Sequence, residues 1–94
     1  MHSYEIFQTF KNHHNEAIAI QMAAYMKNKF PFLGIKSPDR RLLAKPFLKE
    51  KSKSKMIDWD FIVECFTMEE REYQYLALDY LILMKKYYQK EDID

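Results

Sequence analysis

Apolar residues recur at spacings of three and four along most of the chain, which is the repeat of amphipathic helices. Near the start, Tyr4, Phe7 and Phe10 lie three residues apart. This spacing predicts a short helix over residues 3–12.

A second helix is predicted from Glu16 to about Lys29, with Asn15 as its N-cap. The connection that follows, residues 30–35, contains Pro31, which disfavours helical backbone at the residue before it. Four large apolar residues in a loop are unusual. We therefore expect this loop to pack inward and to set the angle between its flanking helices.

The third helix has a strong start signal, with Ser37 at the N-cap, Pro38 at the first helical position and Asp39 at the second. Pro46 is expected to end or kink this helix just before its own position, because proline has no N–H for the helical hydrogen bond. Residues 49–55 are rich in lysine and predict a polar linker.

The last two helices indicate the fold. Asp58 opens the fourth helix. The side of it predicted to be buried carries Trp59, Ile62, Val63 and Phe66. Thr67 and Glu70 match a capping box, so the last helix is predicted from Met68 to about Gln89. Two antiparallel helices joined this tightly form an αα-hairpin, the unit of HEAT-type repeats.

The last helix is apolar most of the way round. One stripe consists of Tyr73, Leu76, Ala77, Tyr80, Leu81 and Met84, and other faces carry Tyr75, Leu78, Ile82 and Leu83. Such a helix is normally covered on several sides, so we expect a following repeat or another chain against it. Residues 91–94 do not provide the polar cap of a terminal repeat. We interpret the fold as all-α, with antiparallel helical hairpins of a HEAT-like or ARM-like superhelix, and residues 1–94 as the N-terminal portion of a single helical-repeat domain.

Composition excludes several classes of protein. Hydrophobic residues are 48% of the chain, which is too many for a disordered segment. The longest apolar runs are too short to span a membrane, and the first residues do not form a signal peptide. A single cysteine excludes an intramolecular disulfide, so a reducing compartment, the cytoplasm, is expected.

The net charge of +1 conceals a strong internal division. Residues 27–55 contain ten basic and two acidic residues, whereas residues 58–79 contain seven acidic residues and one basic residue. The basic stretch is either a solvated surface or a patch for an anionic partner, with nucleic acid as the first candidate.

Catalytic motifs are absent from the sequence. Cys65 lies within an apolar helical face and is expected to be inert. The three histidines show no third ligand at metal spacing. Glu69, Glu70 and Glu72 are interpreted as capping and helix-dipole carboxylates. We expect no catalytic residue, metal site or cofactor in this chain.

Several segments, taken in order, resemble one known family. They are residues 22–30, 32–35, 37–41, 70–74 and 77–79, which read MAAYMKNKF, FLGI, SPDRR, EREYQ and ALD. Together they resemble the N-terminal portion of AlkD-type DNA alkylation repair proteins, from roughly Phe10 to Tyr88. The resemblance implies a superhelix of HEAT-like repeats with a concave, basic DNA-binding face. It also implies hydrolysis of the N-glycosidic bond of N3- or N7-alkylated purines, whose positive charge already activates the leaving group.

The same resemblance implies that the catalytic aspartate and the two lesion-facing tryptophans of the family lie beyond residue 94. Trp59 is not one of these tryptophans, and family chains are well over twice this length. The chain is thus expected to be the DNA-binding part of a DNA glycosylase, with alkylated double-stranded DNA as its partner. Alone, it is expected to be inactive as a hydrolase.

Five residues carry over as DNA-binding candidates: Tyr25, Lys27, Lys36, Arg40 and Arg41. Tyr25 matches a family aromatic near the lesion-facing cleft, and the alternative is a tyrosine that packs between helices. Lys36 stands where the family often has a polar residue near DNA, and its charge favours phosphate over base edges. Arg40 and Arg41 match a basic pair, of which one is expected to bond acids of the following helices. Contact of at least one of them with phosphate stays open.

Lys45 and Lys49 join Lys27 and Lys36 as residues that are individually solvated and together could supply the electrostatic part of DNA binding. Two further hypotheses stay open. The chain could be a non-enzymatic helical module that binds protein or DNA, with self-association through the last helix. It could also be a structural fragment without activity of its own.

Overall fold

The computed structural model describes residues 4–87, and every regular element within them is helical. The elements are α1 (Glu5–Asn12), α2 (Glu16–Tyr25), α3 (Ser37–Ser52), α4 (Trp59–Thr67), α5 (Arg71–Leu83) and a 3₁₀ turn (Lys85–Tyr87). The predicted all-α class is confirmed. The predicted end of the last helix at Gln89 and residues 91–94 lie outside the described residues, as does the predicted start of the first helix at Ser3.

Helix α5 is the centre of the core. Most of the stripe predicted from its sequence is buried: Tyr73, Leu76, Ala77, Tyr80 and Met84 are without exposed surface, whereas Leu81 is only partly buried. Helices α3 and α4 both pack against α5, and α1 packs against α3. None of the helices within residues 4–87 is long and apolar enough to cross a membrane.

Helices α4 and α5 form the predicted antiparallel hairpin. The Tyr80 hydroxyl near the end of α5 accepts a hydrogen bond from the N–H of Asp58, just before α4, at 2.9 Å. At the other end of the hairpin, the Gln74 side-chain amide donates to the carbonyls of Cys65 and Met68 at 3.1 and 2.9 Å. The two helices therefore run in opposite directions.

Helix α1 closes the core through aromatic contacts. Phe7 and Phe10 lie 5.4 and 5.7 Å from the ring of Tyr73, and Phe7 stacks on Phe61 of α4 at 6.0 Å. The Tyr73 hydroxyl donates to the carbonyl of Phe7 at 3.3 Å. The first helix predicted from sequence thus packs against the α4–α5 hairpin and covers part of the core.

The expectation that Pro46 ends the third helix is wrong, because α3 continues as one element through Pro46 to Ser52; a kink at Pro46 stays a prediction. Proline removes one hydrogen bond, to the carbonyl of Leu42 four residues earlier. Pro46 and Leu42 are both exposed, so water can reach that carbonyl. Leu48, two residues further on, is buried and stabilises the continuation. Consequently, the linker predicted at residues 49–55 is helical over its first half.

The capping box predicted at Thr67 is also wrong. Thr67 is the last residue of α4, and its hydroxyl donates to the carbonyl of Glu64 at 2.7 Å. Helix α5 begins at Arg71, with Glu70 as an N-cap whose side chain makes no capping hydrogen bond. The N–H of Arg71 instead donates to the carbonyl of Pro31 at 2.9 Å. A loop distant in sequence therefore caps this helix.

Helix α4 turns a different side to the core from the one predicted. Phe61, Ile62 and Cys65 are buried, whereas three of the four residues predicted to be buried are largely exposed: Trp59, Val63 and Phe66. Only Ile62 was predicted correctly. Both sets follow helical spacing, so the chain carries an apolar strip on the outer side of this helix.

Candidate nucleic-acid interface

Helices α3 and α5 lie side by side, and two clefts follow one another along the line where they meet. We call this surface the α3–α5 face. One cleft, of about 590 Å³, is lined by Arg41, Ala44, Lys45, Leu48, Lys49, Ser52, Asp79, Ile82 and Leu83. The other, of about 250 Å³, is lined by Met22, Tyr25, Met26, Phe32, Ile35, Ser37, Arg40, Glu72 and Tyr75.

A row of three cations borders the larger cleft. Arg41, Lys45 and Lys49 recur every four residues along α3, which places them on one side of the helix, and all three are exposed. We call them the basic row. The residues between them that face α5, Ala44 and Leu48, are buried. The row therefore presents three positive charges along about two helical turns.

Arg40 is placed differently from its neighbour. It is 5% exposed, and its guanidinium bonds Asp79 of α5, with Nη2 and Nε lying 3.1 and 3.2 Å from Oδ2. The guanidinium also donates to the Ser37 hydroxyl at 3.3 Å and lies 5.1 Å from the centre of the Tyr75 ring. This is the bond to an acid of a following helix that was expected for one member of the pair. Arg40 is thus engaged inside the protein, and Arg41 is the accessible member.

Tyr25 lies at the edge of the smaller cleft. It is the last residue of α2 and is 87% exposed, so it is not a tyrosine that packs between helices. The buried ion pair of Arg40 and Asp79 lies between the two clefts, since Arg40 lines the smaller cleft and Asp79 lines the larger one. Tyr25 and the basic row therefore occupy successive parts of one face.

Lys27 follows α2 in left-handed backbone, with φ of +58°. Its N–H donates to Ala24, and the N–H of Asn28 donates to Ala23, at 2.9 and 2.7 Å. These two bonds form a Schellman motif, in which Lys27 takes the position usually held by glycine. The motif ends α2 at Tyr25, four residues before the predicted Lys29. Lys27 is exposed close to Tyr25 in sequence.

Lys36 is exposed and is the N-cap of α3, one residue before the predicted N-cap Ser37. Its carbonyl accepts a hydrogen bond from the N–H of Arg40 at 2.8 Å. Its neighbours Ile35 and Ser37 line the cleft of Tyr25. The backbone of Lys36 thus passes the Tyr25 end of the face. A cation at a helix N-terminus opposes the helix dipole, so this lysine does not contribute to the stability of α3.

The loop between α2 and α3, residues 26–36, packs inward as predicted. Leu33, Gly34 and Ile35 are buried, and their three N–H groups all donate to the carboxylate of Glu72, at 2.8, 2.9 and 3.1 Å. The carbonyl of Leu33 accepts the N–H of Asn15 at 2.8 Å. This α2–α3 loop is therefore bonded to the N-terminal ends of both α2 and α5.

Part of the basic stretch is directed away from the α3–α5 face. Lys51 is bonded to Asp58 at 2.6 Å and lies 4.9 and 5.0 Å from the ring centres of Tyr4 and Phe61. Burial acts to raise the pKa of Asp58, but the hydrogen bonds from Lys51 and the N–H of Phe61, with the charge of Lys51, lower it below its ordinary value. Lys53 pairs with Glu50 at 3.1 Å. Thus only some of the cations of residues 27–55 share one surface.

The cysteine and the possible metal ligands do not form a reactive or metal-binding site within residues 4–87. Cys65 is buried, and burial, with the nearby charge of Glu64, raises the pKa of its thiol to about 12. Within residues 4–87, no three side chains of histidine, cysteine, aspartate or glutamate are grouped so that they could hold a metal ion.

The sequence did not reveal the roles of Glu72 and Asp79. Glu72 was interpreted as a helix-dipole carboxylate, but both its oxygens serve the α2–α3 loop, and it is 1% exposed. Its partners are 37 to 39 residues away in the sequence. The available signal was the apolar loop itself, since buried backbone N–H groups require an acceptor.

The helical hairpin, the buried ion pair between α3 and α5 and the basic row define, within residues 4–87, an all-α protein with a row of exposed cations on its α3–α5 face. The chain belongs to the DNA alkylation repair enzyme family, whose model matches residues 6–94. It is similar to the solved structure of a predicted DNA alkylation repair enzyme from Enterococcus faecalis, with 33% sequence identity and a TM-score of 0.75. That match covers 85% of this chain and 38% of the other, so the chain spans well under half the length of that relative. No curated protein matches the chain.

Proposed function

We propose that the α3–α5 face binds the phosphate backbone of double-stranded DNA and that the chain is the DNA-holding part of a glycosylase for N3- and N7-alkylated purines. The observation that carries the proposal is the basic row, three exposed cations on one side of α3. Tyr25 lines the next cleft of the same face, and the exposed Lys36 stands in the chain between two residues that line it, Ile35 and Ser37. Lysine and arginine that neutralise phosphates release counterions and dominate the affinity for a duplex. Arg40 is not part of the interface we propose, because its charge is already neutralised by Asp79.

The binding test is a titration of labelled duplex DNA at several salt concentrations. Replacement of Arg41, Lys45 and Lys49 by methionine should reduce the slope of log K against log salt by about two to three, since each phosphate contact contributes about 0.9. A matched control removes three exposed lysines elsewhere: Lys11, Lys53 and Lys55. The same loss of slope in both variants would show that only net charge matters and would refute a specific face.

In the proposed glycosylase, the reacting groups come from outside this chain. The two carboxylates that line the clefts, Glu72 and Asp79, are both engaged, with three loop amides and with Arg40 respectively. Neither is free to stabilise the positive charge that develops on the sugar as the glycosidic bond breaks. The chain alone should therefore not release 7-methylguanine from methylated DNA. Turnover by the chain alone, abolished by a substitution within it, would contradict this assignment.

A second candidate function is a protein-binding helical module, and the outer strip of α4 favours it. Trp59, Val63 and Phe66 are 42%, 61% and 52% exposed, an unusual amount of apolar surface for one short helix. On α5, Leu78, Ile82 and Leu83 are also exposed, so this helix has an apolar surface through which the expected self-association could occur. Sedimentation at increasing concentration tests it. Association that Val63→Glu abolishes would support this function through the α4 strip, and Ile82→Glu tests self-association through α5 in the same way. A monomer at all concentrations would argue against self-association through either helix.

A further inference from the structure

We propose that Glu72 is a positioning residue for DNA binding, which holds the backbone of Lys36 beside the cleft of Tyr25 through its hydrogen bonds to the α2–α3 loop. The inference rests on the proposed function of that face. Glu72 itself is 1% exposed and cannot touch a duplex, so its effect must pass through the loop.

The geometry of Glu72 differs from that of an ordinary carboxylate in the first turn of a helix. Such a group interacts with the N–H groups and the dipole of its own helix. Here Oε1 accepts the N–H of Leu33, and Oε2 accepts those of Gly34 and Ile35. Both oxygens are directed at another segment, and hydrogen bonds to a charged group are among the stronger ones in proteins. The bonds orient three successive peptide units of the loop.

Lys36 follows the last of these three residues. The N–H of Ile35 is bonded to Glu72 and its side chain is buried, whereas the carbonyl of Lys36 is the first acceptor of α3. The backbone of Lys36 is thus restrained on both sides, and only its side chain is left to move. Restraining the backbone reduces the entropy lost when the ammonium group binds a phosphate.

The smaller cleft connects this arrangement to Tyr25. Glu72, Ile35 and Tyr25 all line it, so the carboxylate lies under the place where the loop approaches α2. Loss of the three hydrogen bonds would free the loop at this point. In this proposal, Glu72 sets the position of the Lys36 backbone relative to the cleft that Tyr25 lines.

A double-mutant cycle tests the inference. Glu72→Gln keeps the size of the side chain but places an NH₂ group opposite at least one loop N–H, so at least one hydrogen bond is lost. In the natural chain, Lys36→Met should weaken duplex binding about fivefold and reduce the salt slope by about one, the value for one phosphate. In the Glu72→Gln background, Lys36→Met should change the affinity by less than about twofold, because the lysine is no longer held in place.

Lys45→Met is the matched control, since Lys45 lies on α3 away from the loop. It should weaken binding by the same factor in both backgrounds. Folding of each variant is checked by circular dichroism. If Glu72→Gln does not fold, Glu72→Asp replaces it, because its shorter side chain keeps the charge but moves the carboxylate away from the loop. A purely structural role of Glu72 would lower stability without making Lys36 and Glu72 non-additive in binding.

The outcomes separate the two proposals. If the natural chain shows no salt-dependent binding to the duplex, the proposed function fails and this inference with it. If the duplex binds and Lys36→Met has the same effect in both backgrounds, or no effect in either, the positioning role is overturned while the proposed function stands. Non-additivity of Lys36 with Glu72, together with additivity of Lys45, supports the positioning role.

Discussion

Arg40 and Asp79 form an ion pair between α3 and α5 in which two guanidinium nitrogens, Nη2 and Nε, lie 3.1 and 3.2 Å from the same carboxylate oxygen. The side chain of Arg40 is 6% exposed and that of Asp79 is 22% exposed. The pair lies between the two clefts of the α3–α5 face. It therefore holds the two helices in register where the proposed interface changes from Tyr25 to the basic row.

Asp79→Ala should lower the free energy of unfolding by about 3 kcal/mol, because it leaves the Arg40 charge buried without a partner. Urea unfolding followed by circular dichroism measures the loss. Arg41→Ala, a neighbour exposed on the same helix, should change stability by no more than about 0.5 kcal/mol. A loss below about 1 kcal/mol for Asp79→Ala would mean that the pair contributes no more than a surface ion pair.

Gly34→Ala should destabilise the protein by about 3 kcal/mol. Gly34 has φ of +93°, and a Cβ there would lie 2.1 Å from the carbonyl oxygen of Asn15, which is backbone and cannot turn aside. The loop would have to move off the start of α2 and away from Glu72. Thermal unfolding gives the size of the effect. A variant as stable as the natural chain would show that the loop does not pack as closely against Asn15 as described.

Lys27→Gly should raise stability by about 0.5–1 kcal/mol. Lys27 has φ of +58°, a left-handed conformation that costs a residue with a Cβ roughly 1–2 kcal/mol and glycine almost nothing. The greater freedom of glycine in the unfolded chain offsets part of the gain. Lys29→Gly is the control, because Lys29 is not among the residues with positive φ, and it should not stabilise. Chemical unfolding midpoints of the two variants decide between these outcomes.

Alkaline pH should destabilise the fold. Burial, with nearby acidic residues, raises the pKa of Cys65 from 9.0 to about 12 and those of Tyr4 and Tyr73 from 10.0 to about 12. For a group with a raised pKa in the folded state, the stabilising contribution is complete below the unfolded value and is lost as pH rises toward the folded value. Stability should thus fall from about pH 9 to about pH 12. Urea midpoints across this range measure it, and Cys65→Ala should delay the onset by removing the earliest group to titrate.

Much of the fold could be predicted because its signals are local. Asn15 and Asp58 act as N-caps as expected, accepting the N–H groups of Ile18 and Phe61 at 3.1 Å each. The apolar stripe of α5 likewise follows from helical spacing alone. Side-chain pattern and capping chemistry act within a few residues, so one sequence is enough to detect them.

The parts that could not be predicted depend on partners distant in the sequence. The start of α5 is capped by the carbonyl of Pro31, not by Thr67, and Glu72 serves a loop nearly forty residues away. On α4, two apolar sets both fit a helix, and only the packing against α5 shows that Phe61 rather than Trp59 is buried. Of the candidate site, the exposure of Tyr25, Lys27, Lys36 and Arg41 agrees with the prediction, but binding itself stays a prediction. The difference between the buried Arg40 and the exposed Arg41 could not be predicted, because it depends on where Asp79 lies in the folded chain.

The α2–α3 loop is bonded to Asn15 on one side and to Arg71 and Glu72 on the other. These bonds determine how short a segment of this protein can be and still keep the geometry of the proposed interface. A peptide that ends before Arg71 would contain Tyr25, Lys36 and the whole basic row, and yet lack the acceptor for the amides of residues 33–35. Its cations would be present without a common geometry. The minimal unit that would retain the proposed interface therefore extends through α5, although α5 contributes no cation of its own to the basic row.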